Sequence, residues 1–418
     1  MLIINDNEIG LNQFDSRLLS YSGMPHFLKP EGKRYALCLS DALDIISLVL
    51  YLRDHGGSVL LIHGETPEKT AYQMAVDGQC YGLVYHVPEN FVLVPQEGAI
   101  EQEPSVYQYS SGTTGQPKLV RRSWQEIKVE MSAYNQVFRA YEELVPIVMA
   151  PVTHSYGLIC GVLAAMERGS KPLVVTHKNP KFAWEVIKRT PKHIVYGVPL
   201  LFHVLSSFTN TNEAVRFHRI MVSGAPMPEQ LFARLQGMTD TMMQQYGCSE
   251  TGCISISEQM TSHVDLGKPL SHVTLTAGME LENPAEITAT IHHKTIYTQD
   301  LGYWQAGHIQ FVARMDDVIN VSGLKVFPME VEETILKLDG VKEAVVYRGQ
   351  HPVMGEVVKA MIVADESITP SSIREWCLPR LPAYKVPFEI RCVQRIPKTS
   401  NGKVSRRLLE MEEAVHEA

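Results

Sequence analysis

Along most of the chain, short apolar runs alternate with stretches whose apolar positions recur at helical spacing. Ser40 is placed to cap a helix through "DALDIISLVLYLRDH", which Gly56 and Gly57 stop, and "SVLLI" (58–62) then reads as a buried strand. "PEKTAYQMAVDG" predicts a helix, and the apolar run "YGLVYHV" follows it. "PIVMAPV" (146–152) and "KPLVVT" (171–176) flank a helical stretch, "FAWEVIKRT" precedes "HIVYGVP", and "FHRIMVSGAP" is a strand ending in Gly and Pro. Helices alternating with buried strands predict an α/β fold with its sites at strand ends. After about residue 300 the texture changes. "VEETILKLDGVKEAVVYRGQ" reads as helix, turn and strand, "EVVKAMIVAD" as a strand, "SSIREWCLPRLP" as a helix broken by prolines, and "FEIRCVQRIPKTSNGKVSRRLLEMEEA" as strand, polar loop and helix. That is a small α+β unit.

Composition narrows the function classes. The chain has 418 residues, 45% of them hydrophobic, which suffices for a large domain and a smaller one. A net charge of −8 gives no sign of a general nucleic-acid binder. No apolar run approaches a membrane span, and "MLIINDNEIGLNQFD" lacks the basic and apolar regions of a signal peptide. The seven cysteines are scattered, and Cys248 and Cys253 have no zinc-type spacing, so reduced thiols in a cytoplasm are expected.

One stretch breaks the apolar rhythm. "YSSGTTGQPK" (109–118) packs hydroxyls, glycines and a lysine into a loop, a composition suited to an anionic ligand such as a phosphate chain. It is not a Walker loop, because two residues rather than four separate Gly112 from Gly115, and Pro117 precedes Lys118. Four further stretches follow in order: "VSGAPM" (222–227), "QYGCSETG" (245–252), "YTQDLGYW" (297–304) with "ARMDDVINVSGLKVFPMEVEE" (313–333), and "PKTSNGKVSRR" (397–407). Together they resemble the acyl-adenylate-forming superfamily of acyl-CoA synthetases, peptide-synthetase adenylation domains, aryl-acid ligases and luciferase, over roughly residues 35–410.

The resemblance implies a large N-terminal domain of mixed sheets sandwiched by helices (1–315) and a small mobile C-terminal α+β domain (316–418). It implies ATP and Mg2+ as cofactors. Ser110, Ser111, Gly112, Thr113, Thr114, Gly115 and Lys118 would hold the β- and γ-phosphates, and Glu250, after Ser249, would bind the magnesium ion. Gly224, Ala225 and Pro226 would line the adenine, Tyr246 before Gly247 would stack on it, and Asp300 and Arg314 would contact the ribose. Gln299 stands where the family has Gly, which puts the local backbone shape in question. Asp316 matches the interdomain hinge and Lys403 the catalytic lysine that neutralises charge as carboxylate and α-phosphate meet.

"APVTHSYGL" (150–158) matches the start of the acyl pocket. It has no acid to pair with an ammonium, which disfavours amino acids. His154 matches a catalytic and substrate-contacting histidine, although a satisfied core histidine would also fit, while Ser155 replaces the Asn of 2,3-dihydroxybenzoate ligases and Gly224 borders the acid. The short form resembles the stand-alone 3,4-dihydroxybenzoate–AMP ligases of petrobactin siderophore biosynthesis. It implies a cytoplasmic enzyme that activates a small aromatic acid and passes it to a separate carrier protein. A synthetase using free coenzyme A and a non-catalytic adenylate sensor are the alternatives. Only 109 residues precede Ser110, fewer than in full-length relatives, and no fused carrier domain is expected after Lys403.

Overall fold

The computed structural model describes residues 2–95, 101–110, 118–141, 144–177, 179–207, 216–351, 355–397 and 404–416. Helix Ala42–Asp54 shows how sequence sets its elements. Its N-cap is Asp41, one residue beyond the expected Ser40, because the Asp41 carboxylate accepts the Asp44 N–H at 3.0 Å. Every residue from Ile45 to Leu52 is buried, so this helix lies inside the protein rather than on it.

Two sheets enclose it. The six-stranded sheet runs in the order Phe91–Leu93, Gly82–His86, Arg34–Leu39, Ser58–Leu61, Ser105–Ser110 and Lys118–Ser123. The thirteen-stranded sheet has a parallel centre, in the order Thr239–Cys248, Phe217–Val222, His193–Gly197, Val145–Val148, Leu173–Val174 and Leu2–Ile4. Antiparallel strands Gly252–Ser257, Asp265–Pro269 and His308–Arg314 extend it on one side, followed by Lys294–Gln305. The hairpin partner Asn7–Ile9 closes the other edge. Lys171 with Glu8, Arg189 with Asp6, and Asn5 with Thr176 clasp that N-terminal hairpin to the sheet. Helices Ala42–Asp54, Trp124–Val137 and the widened π-type helix Tyr156–Leu163 share one apolar core with the inner faces of both sheets.

The small sheet begins with Ile319–Val321, so the change of texture near residue 300 falls early: strands Lys294–Gln305 and His308–Arg314 still belong to the thirteen-stranded sheet. In the five-stranded sheet, Gly355–Ala364 pairs with Val341–His351, with Ile319–Val321 and, in parallel, with Glu389–Cys392. Helices Pro328–Leu336 and Pro370–Cys377 cover it over a separate core.

Candidate active site

The phosphate-loop motif spans a hairpin. Ser110 ends one strand, Lys118 opens the next, and the two pair directly across the ladder. Ser111, Gly112, Thr113, Thr114 and Gly115 lie outside the described residues, as does Lys403. The Lys118 side chain is exposed. Strand Lys118–Ser123 passes without a linker into helix Trp124–Val137, because Ser123 and Glu126 form a reciprocal capping box at 3.2 and 2.7 Å.

The "YGCSETG" stretch is a second hairpin. Strand Thr239–Cys248 turns through three residues into Gly252–Ser257, leaving Ser249 half-buried and Glu250 exposed at the tip. Both glycines are obligatory for space. A Cβ on Gly247 would lie 1.9 Å from the Gly252 carbonyl, and one on Gly252, at φ +70°, would lie 2.3 Å from Arg122 Nη1. Burial pushes the neighbouring Cys248 thiol up to about 11, so it stays protonated. Gly224, Ala225 and Pro226 follow the end of strand Phe217–Val222, with Gly224 at φ +87°.

Asp300 and Arg314 are brought together as sequence reading expects, since they pair directly across strands Lys294–Gln305 and His308–Arg314. Tyr246 joins them: its hydroxyl donates to Asp300 Oδ2 at 2.7 Å. Arg314 Nη1 stands 3.2 Å from Asp300 Oδ1 but outside hydrogen-bonding alignment, so that buried oxygen has no hydrogen-bond donor among the described residues. Burial raises the Asp300 pKa above the ordinary carboxylate value, while Arg314 and Tyr246 pull it down. Burial, then Asp300, hold the Tyr246 phenol far above its usual value and therefore protonated. Gln299 answers the question its substitution raised. It adopts φ 62°, the left-handed region a glycine would favour, and both its backbone N–H and its Nε2 donate to Glu286 Oε1, at 3.0 and 2.9 Å.

His154 is exposed, so the core-histidine alternative does not hold. Ser155 Oγ donates to Gln108 Oε1, and Gln108 Nε2 donates to the Thr153 carbonyl at 2.9 Å. A narrow cleft is lined by Gln108, Arg122, Ser155, Ile159 and Ser249. Behind it lie polar groups that sequence reading missed. Arg122 pairs with Glu130 at 2.6 Å, both buried, and Glu130 Oε1 also accepts the Cys253 N–H at 2.6 Å. One helical turn on, Tyr134 Oη stands 2.9 Å from Gln245 Oε1 and 3.2 Å from Tyr196 Oη. The available signal was a glutamate four residues before a tyrosine on an otherwise core-facing helix stripe, and a glutamine inside the apolar strand "VYQY".

Asp316 is exposed in the turn Met315–Asp317, between the last strand of the large sheet and the first of the small one, and its carbonyl accepts from Arg348 Nη2 at 2.8 Å. Among the described residues, no group of three or more His, Cys, Asp or Glu side chains could hold a metal ion, and no helix is long and apolar enough to cross a membrane. The seven cysteines are free thiols.

Residues 45–278 match the AMP-binding enzyme family, and residues 330–403 match the AMP-binding enzyme C-terminal domain. The chain is 54% identical to a 3,4-dihydroxybenzoate–[aryl-carrier protein] ligase of Bacillus anthracis over 99% of both chains. It is 21% identical to a 2-succinylbenzoate–CoA ligase of Enterococcus faecalis over 92% of this chain and 90% of that one. The fold is shared with ATP-bound MatB of Rhodopseudomonas palustris, at TM-score 0.82 and 17% identity over 98% of this chain and 95% of that one. It is also shared with the Bacillus subtilis o-succinylbenzoate CoA synthetase MenE in complex with its acyl-adenylate, at TM-score 0.82 and 19% identity over 98% and 94% of the two chains. The chain belongs to the AMP-binding enzyme family.

Proposed function

We propose that the protein activates 3,4-dihydroxybenzoate with ATP and then transfers the aryl group to the phosphopantetheine thiol of a separate carrier protein. The observation that carries this reading is the 54% identity to the Bacillus anthracis ligase over 99% of both chains. In the first step a carboxylate oxygen attacks the α-phosphorus, the bond to the bridging oxygen breaks, and pyrophosphate leaves. In the second the thiol sulfur attacks the acyl carbon, AMP leaves, and the thiol proton passes to solvent.

The geometry fits a nucleotide. The buried Asp300 Oδ1, without a hydrogen-bond donor among the described residues, offers an acceptor to a ribose hydroxyl. Tyr246 fixes the other oxygen and presents a half-buried ring toward adenine, and Arg314 supplies charge beside the pair. Gly224, Ala225 and Pro226 border the adenine at the strand end. Ser110, Ser111, Gly112, Thr113, Thr114, Gly115 and Lys118 hold the phosphates that become the leaving group. Glu250, a single exposed carboxylate, suits a hard cation that takes most of its ligands from phosphate and water, and when bound Mg2+ offsets phosphate charge. His154 and Ser155 stand at the entrance for the acid. Residues 316–418 act as a unit that turns about Asp316, bringing Lys403 to the reacting carboxylate for adenylation and withdrawing it for thiol transfer. Seven free thiols accord with a reducing cytoplasm, and the petrobactin-type siderophore context follows from the acid.

The test is acid-dependent ATP–pyrophosphate exchange over a panel of carboxylic acids, followed by transfer assays with a carrier protein and with free coenzyme A. 3,4-Dihydroxybenzoate should give the highest kcat/KM, and carrier protein should be the better acceptor. A preference for 2,3-dihydroxybenzoate or a fatty acid would overturn the substrate, and faster transfer to coenzyme A would overturn the acceptor.

A further inference from the structure

We propose that the buried ion pair of Arg122 and Glu130 is a positioning pair that holds the hairpin carrying Ser249 and Glu250 in register with the hairpin carrying Ser110 and Lys118. The proposal rests on the functional reading above and assigns the residues that keep the two halves of its phosphate side together.

The pair stands where the two hairpins meet. Side chains at neighbouring strand positions point to opposite faces. On strand Lys118–Ser123, Arg121 turns outward to Glu103 at 2.7 Å, and Arg122 turns inward and is 5% exposed. Arg122 Nη2 donates to Glu130 Oε2 at 2.6 Å. Glu130, 1% exposed, lies on the inward stripe of helix Trp124–Val137 with Ile127, Met131 and Tyr134. Its other oxygen reaches the second hairpin and accepts the Cys253 N–H at 2.6 Å. One carboxylate thus bridges a side chain of the phosphate-loop strand and the backbone of strand Gly252–Ser257.

That contact falls at the weak point of the second hairpin. Tyr246 pairs with Ser255 but Gly247 pairs with Cys253, so the ladder carries a bulge between them. A bulge re-aims the chain beyond it, and beyond this one lie Ser249 and Glu250. On the near side Tyr246 is anchored to Asp300. On the far side Glu130 takes the Cys253 N–H, and the ion pair fills the space beside Gly252. A Cβ on Gly252 would lie 2.3 Å from Arg122 Nη1 and 2.5 Å from both Glu130 oxygens. The turn that carries Glu250 therefore rests on the ion pair itself.

Stability alone does not account for the pair. A buried ion pair is often no more stabilising than apolar side chains of similar volume. This one leaves Arg122 Nη1 buried with no hydrogen-bond partner among the described residues, a loss that an apolar pair would avoid. Burial works against the Arg122 charge, and Glu130 outweighs it, so the guanidinium stays charged. What the pair supplies, and an apolar pair would not, is a directed bond from a helix to the Cys253 N–H.

The experiment compares two double variants that share Arg122→Met. With Glu130→Leu the pair becomes apolar and the acceptor is lost. With Glu130→Gln an acceptor for the Cys253 N–H is kept. Neither leaves a lone buried charge. The readings are thermal unfolding, amide hydrogen exchange over residues 247–256 by mass spectrometry, and pyrophosphate exchange with 3,4-dihydroxybenzoate as Mg2+ is varied. The apolar double variant should unfold within a few degrees of the unmodified protein, yet exchange these amides roughly tenfold faster. It should lose roughly tenfold to a hundredfold in kcat and need more Mg2+ for half its maximal rate. The variant that keeps the acceptor should recover most of the rate and of the amide protection. An unchanged kcat in the apolar variant, equal losses in the two variants, or a fall in kcat without faster amide exchange would overturn the proposal. So would failure of the apolar variant to fold, since the pair would then serve folding rather than position. No pyrophosphate exchange with 3,4-dihydroxybenzoate in the unmodified protein would overturn the functional reading, while amide exchange would still decide whether Glu130 holds the hairpin.

Discussion

Arg406 and Asp317, 89 positions apart in the chain, form an ion pair at 2.8 Å. Arg406 also donates to Glu332 at 2.7 Å and to the Val346 carbonyl at 2.8 Å. It stands three residues after Lys403, and Asp317 directly follows the proposed hinge at Asp316. The pair therefore ties the root of the lysine segment to the small-domain side of the pivot, so that a turn about Asp316 carries both together.

Arg406→Gln should loosen that tie. We expect kcat for pyrophosphate exchange to fall by roughly tenfold to a hundredfold, the scale of loss when a catalytic group is displaced by about 1 Å. The KM for ATP should change little, because the proposed nucleotide contacts lie on the large sheet. Steady-state kinetics varying ATP at saturating acid would separate the two, and a rise in KM alone would count against a positioning role.

Lys403→Ala should remove charge that matters only while the adenylate forms. Acid-dependent pyrophosphate exchange should drop by orders of magnitude, while transfer from a supplied aryl-adenylate to the thiol survives. Equal loss of both half-reactions would contradict the role.

Asp300→Asn separates stability from activity. Burial raises the Asp300 pKa above its unfolded value, with Arg314 and Tyr246 opposing. Its contribution to stability is then full below the unfolded pKa and is lost as pH rises through the folded one. Above its folded pKa the ionised group is a burden on the folded state, so the neutral isostere should raise the unfolding temperature there, with the gain shrinking as pH falls through that pKa. The same variant should lose about tenfold or more in kcat/KM for ATP. Thermal unfolding at several pH values, beside an ATP titration, reads both effects.

Gln299 allows a test of backbone shape. Gln299→Gly should be close to neutral in stability, because relief of a left-handed conformation worth roughly 1–2 kcal/mol offsets the lost side-chain bond to Glu286, worth about 0.5–1.5 kcal/mol. Gln299→Val keeps the strain, adds a β-branch and loses the bond, so it should destabilise and raise the KM for ATP by shifting Asp300. Chemical denaturation with nucleotide titration distinguishes the two, and equal behaviour would mean that φ at this position is not a constraint.

The residues proposed to hold the nucleotide stood out in the sequence because their chemistry is concentrated. Glu250 and Asp300 sit in short polar stretches where carboxylates have little structural use, and the structure pairs Asp300 with Arg314 across neighbouring strands. The buried polar groups behind the cleft were not legible for the opposite reason. Glu130 and Tyr134 on one helix and Gln245 on a strand lie within runs whose periodicity marks them as core, and only packing shows that Tyr134 meets Gln245 while Glu130 meets Arg122. The parallel centre of the large sheet could be read from alternating helices and apolar runs. The antiparallel strands from Gly252 to Arg314 could not, since their pairing depends on turns with left-handed residues such as His292 and His293 that leave no hydrophobic signature. The Ser40 and Asp41 ambiguity is of another kind: both are good caps, and the neighbouring strand decides by engaging Ser40 with His86.

The clasped hairpin at the start of the chain has a practical side. Asn7–Ile9 is short and polar, and it covers Leu2–Ile4, which in turn covers Leu173–Val174. Together they act as a cover over apolar strands that would otherwise offer unpaired backbone groups to any passing chain. Removing residues 1–10, or crowding Leu2 with a tightly fused tag, would uncover that border while the site remained intact. Self-association and low recovery from expression would then precede any loss of turnover by the molecules that stay in solution.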